Sequence, residues 1–245
     1  MVIAGSDAMP GAALLTLRAS MHAGAGYATL ISTKSVCQSA AASLPEAIYV
    51  SCPSEPCGTL SFKATQQEIL TRISRTDCIA IGPGLGRTDE TAAIVAYVLE
   101  MFTGPVVIDA DALYAAPPTL LKERASAGRE TILTPHPGEA AAAYGVESRD
   151  CDRIAAVREL AQRTHSTVLL KGTRTLVASD RLRTDIIRKG TPALGTAGSG
   201  DTLTGIIAAL AAQGLEAHSA AVAGATIPRC DRSVPWGPAP WLIPC

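Results

Sequence analysis

The sequence predicts an α/β fold, a mostly parallel central sheet with helices on both faces, and three observations predict it. Short β-branched runs recur along the chain, helical periodicity fills most of the gaps between them, and nearly every run stops at Gly, Pro, Asp or Lys.

The runs are MVIAGS at 1–6, YATLIS at 27–32, AIYVS at 47–51, CIAIGPG at 78–84, PVVIDA at 105–110, TILTP at 131–135 and TVLLKG at 167–172. Between them GAALLTLRASMHAG, ETAAIVAYVLEMF and CDRIAAVRELAQRTH carry the spacing of amphipathic helices, the alternation of βαβ units. VLLKGTRTLVA at 168–178 breaks the alternation and reads as two strands joined at KGTRT, a hairpin or bulge. In GTPALGTAGSGDTLTGIIAALAAQG, residues 190–214, the positions Leu203, Ile206, Ile207 and Leu210 fall at i, i+3, i+4 and i+7, so a helix begins near Gly200 or Asp201. AAVAGA, ending at Ala225, reads as a further helix. Ligands of open parallel sheets sit beyond the carboxyl ends of the strands, so Ser6, Gly84, Asp109, Pro135 and Lys171 are expected to converge on one rim.

Composition narrows the partner. A net charge of -1 with no basic block gives no electrostatic footprint for nucleic acid, and 4% aromatic residues leave little for base stacking. No apolar stretch reaches the ~20 residues that span a bilayer. The expectation is a soluble, cytoplasmic protein acting on a small molecule. The seven cysteines are scattered and odd in number, which favours reduced thiols. Cys52 and Cys57 stand at C-x4-C spacing with no second pair to complete a zinc site.

The richest stretch is GTAGSGD. The first N–H groups of the helix it opens, with the helix dipole behind them, form an anion site, and Gly195, Gly198 and Gly200 let a phosphate approach the backbone. Asp201 stands where it would accept the proton of a hydroxyl attacking phosphorus. Against this stands simple capping by Ser199 or Asp201, worth ~1 kcal/mol, which would not require three glycines. No lysine follows the glycines, so this is not the nucleotide P-loop, and GPGLG at 82–86 is at most a partial dinucleotide fingerprint and otherwise a tight strand-to-helix turn.

TPHPGEAAA at 134–142 ends a strand and opens a helix, and that punctuation accounts for its prolines and for Glu139 but not for His136, which stands between structural and ligand-binding roles. Glu139 is a candidate to act through water on a magnesium ion carried by phosphates. Lys171, in a glycine-containing turn, is either a solvated lysine or part of a nucleotide site. Asp109 and Asp111 in VVIDADAL divide between helix capping and a substrate or magnesium role. In GSDAMPGAALL, Gly11, Ala12 and Ala13 are small enough to admit a bulky ligand.

Taken in order, GSDAMPGAALL, AIGPGLG, VVIDADAL, ILTPHPGE, LLKGTRT and GTAGSGDTLTGIIAALAAQG resemble the ADP/ATP-dependent NAD(P)H-hydrate dehydratases of the ribokinase-like superfamily. The resemblance implies repair of the S epimer of hydrated NADH and NADPH at the expense of ADP or ATP, with magnesium. It implies that Asp201 is the base and that the N–H groups of Ala197, Gly198, Ser199 and Gly200 stabilise the transferred phosphoryl group. Ala12, Gly84, His136 and Asp201 match substrate-binding positions. Lys171, Gly172, Thr173, Arg174, Thr175 and Gly200 match the adenine nucleotide site. A homo-oligomer, a tetramer in the family, is also implied. The nearest alternative is a small-molecule kinase of the same superfamily, acting on a thiazole or pyrimidine alcohol; the other is a non-catalytic nucleotide-binding remnant.

The resemblance makes residues 1–225 one domain that starts inside its first strand, without the upstream segment of other members. Residues 226–245, TIPRCDRSVPWGPAPWLIPC, form an atypical tail holding both tryptophans, five of the sixteen prolines and two of the seven cysteines.

Overall fold

A computed structural model describes residues 1–148, 152–180, 183–187 and 196–227. Gly195, Cys151, Cys230, Cys245 and nearly all of the predicted tail lie outside the described residues.

Nine strands form one sheet: β1 (Val2–Ile3), β2 (Thr29–Thr33), β3 (Ile48–Cys52), β4 (Ile79–Ile81), β5 (Val106–Ile108), β6 (Thr131–Leu133), β7 (Thr167–Leu170), β8 (Thr175–Ala178) and β9 (Thr184–Ile187). Their order is β3-β2-β1-β4-β5-β6-β7-β8-β9. The pairs from β3 to β7 are parallel, and β8 and β9 add antiparallel, so KGTRT is the turn of a hairpin. The order reverses between β1 and β4. That switch point opens a crevice beyond their carboxyl ends, where Gly5 N–H donates to Pro83 O at 2.8 Å.

The strands alternate side chains between two cores. Ile3, Ile31, Ile79, Ile81, Ile108, Leu133, Val168 and Leu170 face α3 (Phe62–Arg72), α4 (Asp89–Met101), α5 (Pro118–Ser126), α6 (Pro137–Tyr144) and α7 (Arg153–Thr164). Val2, Leu30, Ala80, Val107, Ile132, Leu169 and Val177 face α1 (Pro10–His22), α2 (Lys34–Ala41), α8 (Ser199–Ala212) and α9 (Ala217–Thr226). Both faces are covered, as the sequence predicts, and the predicted α1, α4 and α7 patterns and the AAVAGA helix are all found. The second face is rich in alanine, which lets its helices lie close together. A Cβ on Gly205 of α8 would stand 2.1 Å from Thr16 O of α1, so the two backbones touch there.

Arg124 of α5 anchors the opposite face. It is 2% exposed, and its guanidinium donates to Leu99 O, Phe102 O, Gly104 O and Thr131 Oγ1, closing the carbonyls left open where α4 ends. Burial pushes its pKa down to about 10. Cys37, Cys52, Cys57 and Cys78 are free thiols; Cys52 is buried in β3 while Cys57 is exposed in the next loop. Among the described residues no helix is long and apolar enough to cross a membrane.

Candidate active site

The expected rim exists and is tied together by named contacts. Gly84 packs on Met9 and Ala12, where a Cβ would lie 3.0 Å from the Cβ of each. Asp109 N–H donates to Ile81 O at 3.1 Å and Lys171 N–H to Pro135 O at 2.9 Å, joining the ends of neighbouring strands. Lys171 Nζ reaches Asp109 Oδ1 at 2.5 Å. The ligand-facing segments predicted from β1, β4, β5, β6 and β7 therefore do meet.

α8 starts on this rim without a cap. Its N-cap residue is Gly198, in the left-handed region at φ +86°, which has no side chain to make a cap hydrogen bond. The N-cap position that the sequence offered to Ser199 or Asp201 falls to neither: Ser199 is the first helical residue and Asp201 the third. A Cβ on Gly198 would also lie 2.5 Å from Leu15 Cδ1 of α1. Gly200 is glycine for a reason the sequence did not show. Its φ is ordinary, but a Cβ there would press on Lys171 Nζ at 3.2 Å. Of the predicted oxyanion donors, Ala197 is exposed, and the Ser199 N–H closes a turn onto Thr196 O at 3.2 Å.

Asp201 lies among charges from two strand ends and the first turn of α6. Burial, followed by the charge of Asp109, pushes its carboxyl up to about 6; Lys171 opposes the rise and Glu139 adds to it. A carboxylate with that affinity for a proton, beside a helix N-terminus that favours anions, can take a proton from a hydroxyl near neutral pH.

His136 is the N-cap of α6, which answers the question its sequence position raised. Glu139 N–H donates to His136 Nδ1 at 3.1 Å and His136 N–H to Glu139 Oε2 at 2.8 Å, a reciprocal capping box. Nδ1 is thus an acceptor, which leaves the proton of the neutral ring on Nε2 of a half-exposed side chain. Glu139 is buried, and both its oxygens face His136, with Oε1 3.5 Å from Nε2.

The turn after β7 is held from outside. Arg153 of α7 donates to Lys171 O and Arg174 O, each at 3.0 Å, and lies against the missing side chain of Gly172. Gly172, Thr173 and Arg174 are exposed, while Thr175 is buried in β8. Asp111 accepts from Gly86 N–H at 2.9 Å and from Arg87 Nε at 3.2 Å, which braces the GPGLG turn. Neither Asp109 nor Asp111 caps a helix with its side chain. Sequence reasoning missed Arg153 and Thr204 altogether. Arg153 looks like any surface position of α7, and Thr204 lies next to the periodic apolar residues of α8. Among the described residues no group of three or more His, Cys, Asp or Glu side chains is placed to hold a metal.

The sequence profile of the NAD(P)H-hydrate dehydratase family matches residues 1–230. The chain belongs to this family. It is 38% identical over 227 residues to a bifunctional NAD(P)H-hydrate repair enzyme of Moorella thermoacetica, covering 92% of this chain and 42% of that protein. It is 36% identical over 229 residues to an ADP-dependent (S)-NAD(P)H-hydrate dehydratase of Xanthomonas campestris, covering 91% and 75%. The chain thus spans about two fifths of the bifunctional relative and three quarters of the single-function one. Among solved structures, the ADP/ATP-dependent NAD(P)H-hydrate dehydratase of Bacillus subtilis, co-crystallised with ATP and magnesium, superposes with a TM-score of 0.74 at 29% identity over 91% of this chain and 76% of that one. The ribokinase-like fold expected of this NAD(P)H-hydrate dehydratase family member is the fold observed.

Proposed function

We propose that the protein dehydrates the S epimer of hydrated NADH and NADPH, using ADP or ATP to phosphorylate the hydroxyl to be lost. The observation that carries this reading is Asp201: an uncapped third residue of a helix on the ligand rim, its carboxyl raised to about 6 and a lysine beside it. The names of the relatives support the choice of substrate over a thiazole or pyrimidine alcohol.

In this mechanism the hydrated nicotinamide lies against Ala12, Gly84 and the half-exposed ring of His136. The adenine nucleotide lies along Lys171, Gly172, Thr173, Arg174 and Thr175, with its terminal phosphate at Ala197, Gly198, Ser199 and Gly200. Asp201 takes the hydroxyl proton as the oxygen attacks phosphorus and the P–O bond to the leaving nucleotide breaks. Phosphate then departs with the C–O bonding electrons, pushed by the ring nitrogen, and loss of a proton from the neighbouring carbon restores the dihydronicotinamide. A magnesium ion brought by the nucleotide would be held mainly by its phosphates, and buried Glu139, engaged in its capping box, would reach it only through water. When bound, that ion neutralises phosphate oxygens. The same proposal makes residues 1–225 the catalytic domain of a cytoplasmic homo-oligomer, a tetramer as in the family, with no nucleic-acid or membrane partner.

The test is recovery of the NADH absorbance band from hydrated NADH, ADP and magnesium. The native chain restores the band and Asp201→Asn does not; a folded native chain that restores nothing sinks the reading.

A further inference from the structure

The buried carboxylate Asp109 is used by neither step above, yet it is the most tightly held polar group on the rim. It is 1% exposed. Oδ1 takes Lys171 Nζ at 2.5 Å and Oδ2 takes Thr204 Oγ1 at 2.7 Å, partners that lie 62 and 95 residues away in sequence. Its backbone N–H donates to Ile81 O, and its carbonyl accepts from Ala112 N–H at 3.2 Å. A Cβ on Gly82 would collide with that same carbonyl at 1.8 Å, so the backbone of residue 109 is walled in. Strand β5, the end of β7 and helix α8 all meet on this one side chain. A lysine is otherwise a flexible point charge with three donors and many rotamers. Here one donor is fixed, the side chain is 20% exposed, and the ammonium rests on the first turn of α8 over Gly200.

We propose that Asp109, itself locked by Thr204, is a positioning residue that holds the Lys171 ammonium in place at the phosphate site before the nucleotide arrives. The proposal rests on the nucleotide and base sites described under the proposed function. Prepositioning matters because a charge already aimed at developing negative charge needs no reorganisation during the reaction. Asp109 also competes for that charge. Its carboxylate draws on the lysine in the ground state and leaves the ammonium free to strengthen its bond to phosphate as charge builds there. The groups facing Asp201 are Asp109 from β5, Glu139 from α6 and Lys171 from β7, and the first contributes most among the charges that raise its pKa.

A kcat-against-affinity split tests this with the full chain. Asp109→Asn is expected to bind ADP–magnesium as tightly as the native chain or several-fold tighter, since a competing negative charge has gone. Its kcat is expected to fall at least tenfold, and the acid limb of its pH profile to move to lower pH. Lys171→Met moves that limb the other way. Thr204→Val keeps every charge, leaves ADP affinity within twofold and lowers kcat several-fold, and Thr204→Ser restores it. In nitrogen-15 spectra a protected Lys171 ammonium resonance is present in the native chain and in Thr204→Ser, and is lost in Asp109→Asn.

A folded Asp109→Asn chain with native kcat and a native acid limb overturns the proposal. Where a thermal melt shows that Asp109→Asn does not fold, Thr204→Val decides, and equality with the native chain overturns it. A native chain that binds ADP but restores no NADH removes the dehydratase reading alone. The ammonium resonance and ADP affinity then decide: both unchanged in the Asp109 variant, or failing that in Thr204→Val, overturns positioning. A folded native chain that binds neither ADP nor ATP overturns it outright.

Discussion

Helices α6 and α8 begin on the same rim with the same plan and opposite outcomes. Each has glycine as its second residue and a carboxylate as its third: Gly138 and Glu139 in α6, Gly200 and Asp201 in α8. Each glycine leaves room for a neighbour, the His136 ring in one case and the Lys171 ammonium in the other. In α6 the carboxylate is spent on the fold, because Glu139 reaches back to the N–H of its cap residue while His136 closes the other half of the box. In α8 the cap residue is glycine with nothing to offer, and under the proposed function the shorter Asp201 keeps its oxygens for the substrate hydroxyl. The difference teaches that the chain closes one of two neighbouring helix starts with side chains and leaves the other to a glycine, the one where the proposed base stands.

The strongest break of this contrast is Asp201→Asn, expected to lower the dehydration rate ~10²–10⁴-fold as general bases do. Glu139→Gln keeps an acceptor for the capping box and is expected to stay within about tenfold of the native rate, following the lower range of such effects. Equal losses in the two variants would erase the contrast.

Gly198→Ala places a side chain at φ +86° and against Leu15, and chemical denaturation should show a loss of about 1–3 kcal/mol.

Stability should move the other way at Asp201. Its carboxyl holds a proton more tightly in the folded chain, at about 6, than at its ordinary value of 3.8. The ionised form therefore costs stability above about pH 6, and the cost vanishes as pH falls toward 4. Asp201→Asn is expected to be more stable than the native chain by roughly 1–2 kcal/mol at pH 8 and no more stable at pH 4. Urea midpoints at the two pH values check this. The native rate should fall as pH drops through about 6, where the base becomes protonated.

The smallest effect belongs to His136→Ala. It removes half of the α6 capping box, costing about 1 kcal/mol by thermal melt, and should raise KM for hydrated NADH more than it lowers kcat.

Much of this was legible in the chain. The parallel strands, the KGTRT hairpin and the start of α8 follow from periodicity and punctuation, because each buries a patterned face. Helix α2, KSVCQSAA, and edge strand β9, TDII, went unread: α2 is short with few apolar positions, and β9 exposes Ile186 and pairs on one side only. At the site, Asp201 and Lys171 announce themselves by their glycine-rich turns. Their link through Asp109 does not, since only the sheet order and the packing of α8 on the sheet bring residues 109, 171 and 204 together. His136 was half read, because imidazole is not among the usual cap residues and only the geometry of Nδ1 shows it acting as one.

The backbone contact between Gly205 and Thr16 bears on how this protein tolerates inheritance of error. Helix α1 carries Ala12 and helix α8 carries Asp201, and the absent Cβ at 205 sets the spacing between them. Any side chain there meets Thr16 O and wedges the two helices apart. Under the proposed function, a genetic screen for lost repair is expected to return codon 205 beside codon 201, and heat to sort the two classes: a sturdy but idle protein from Asp201 alleles, a fragile one from Gly205 alleles.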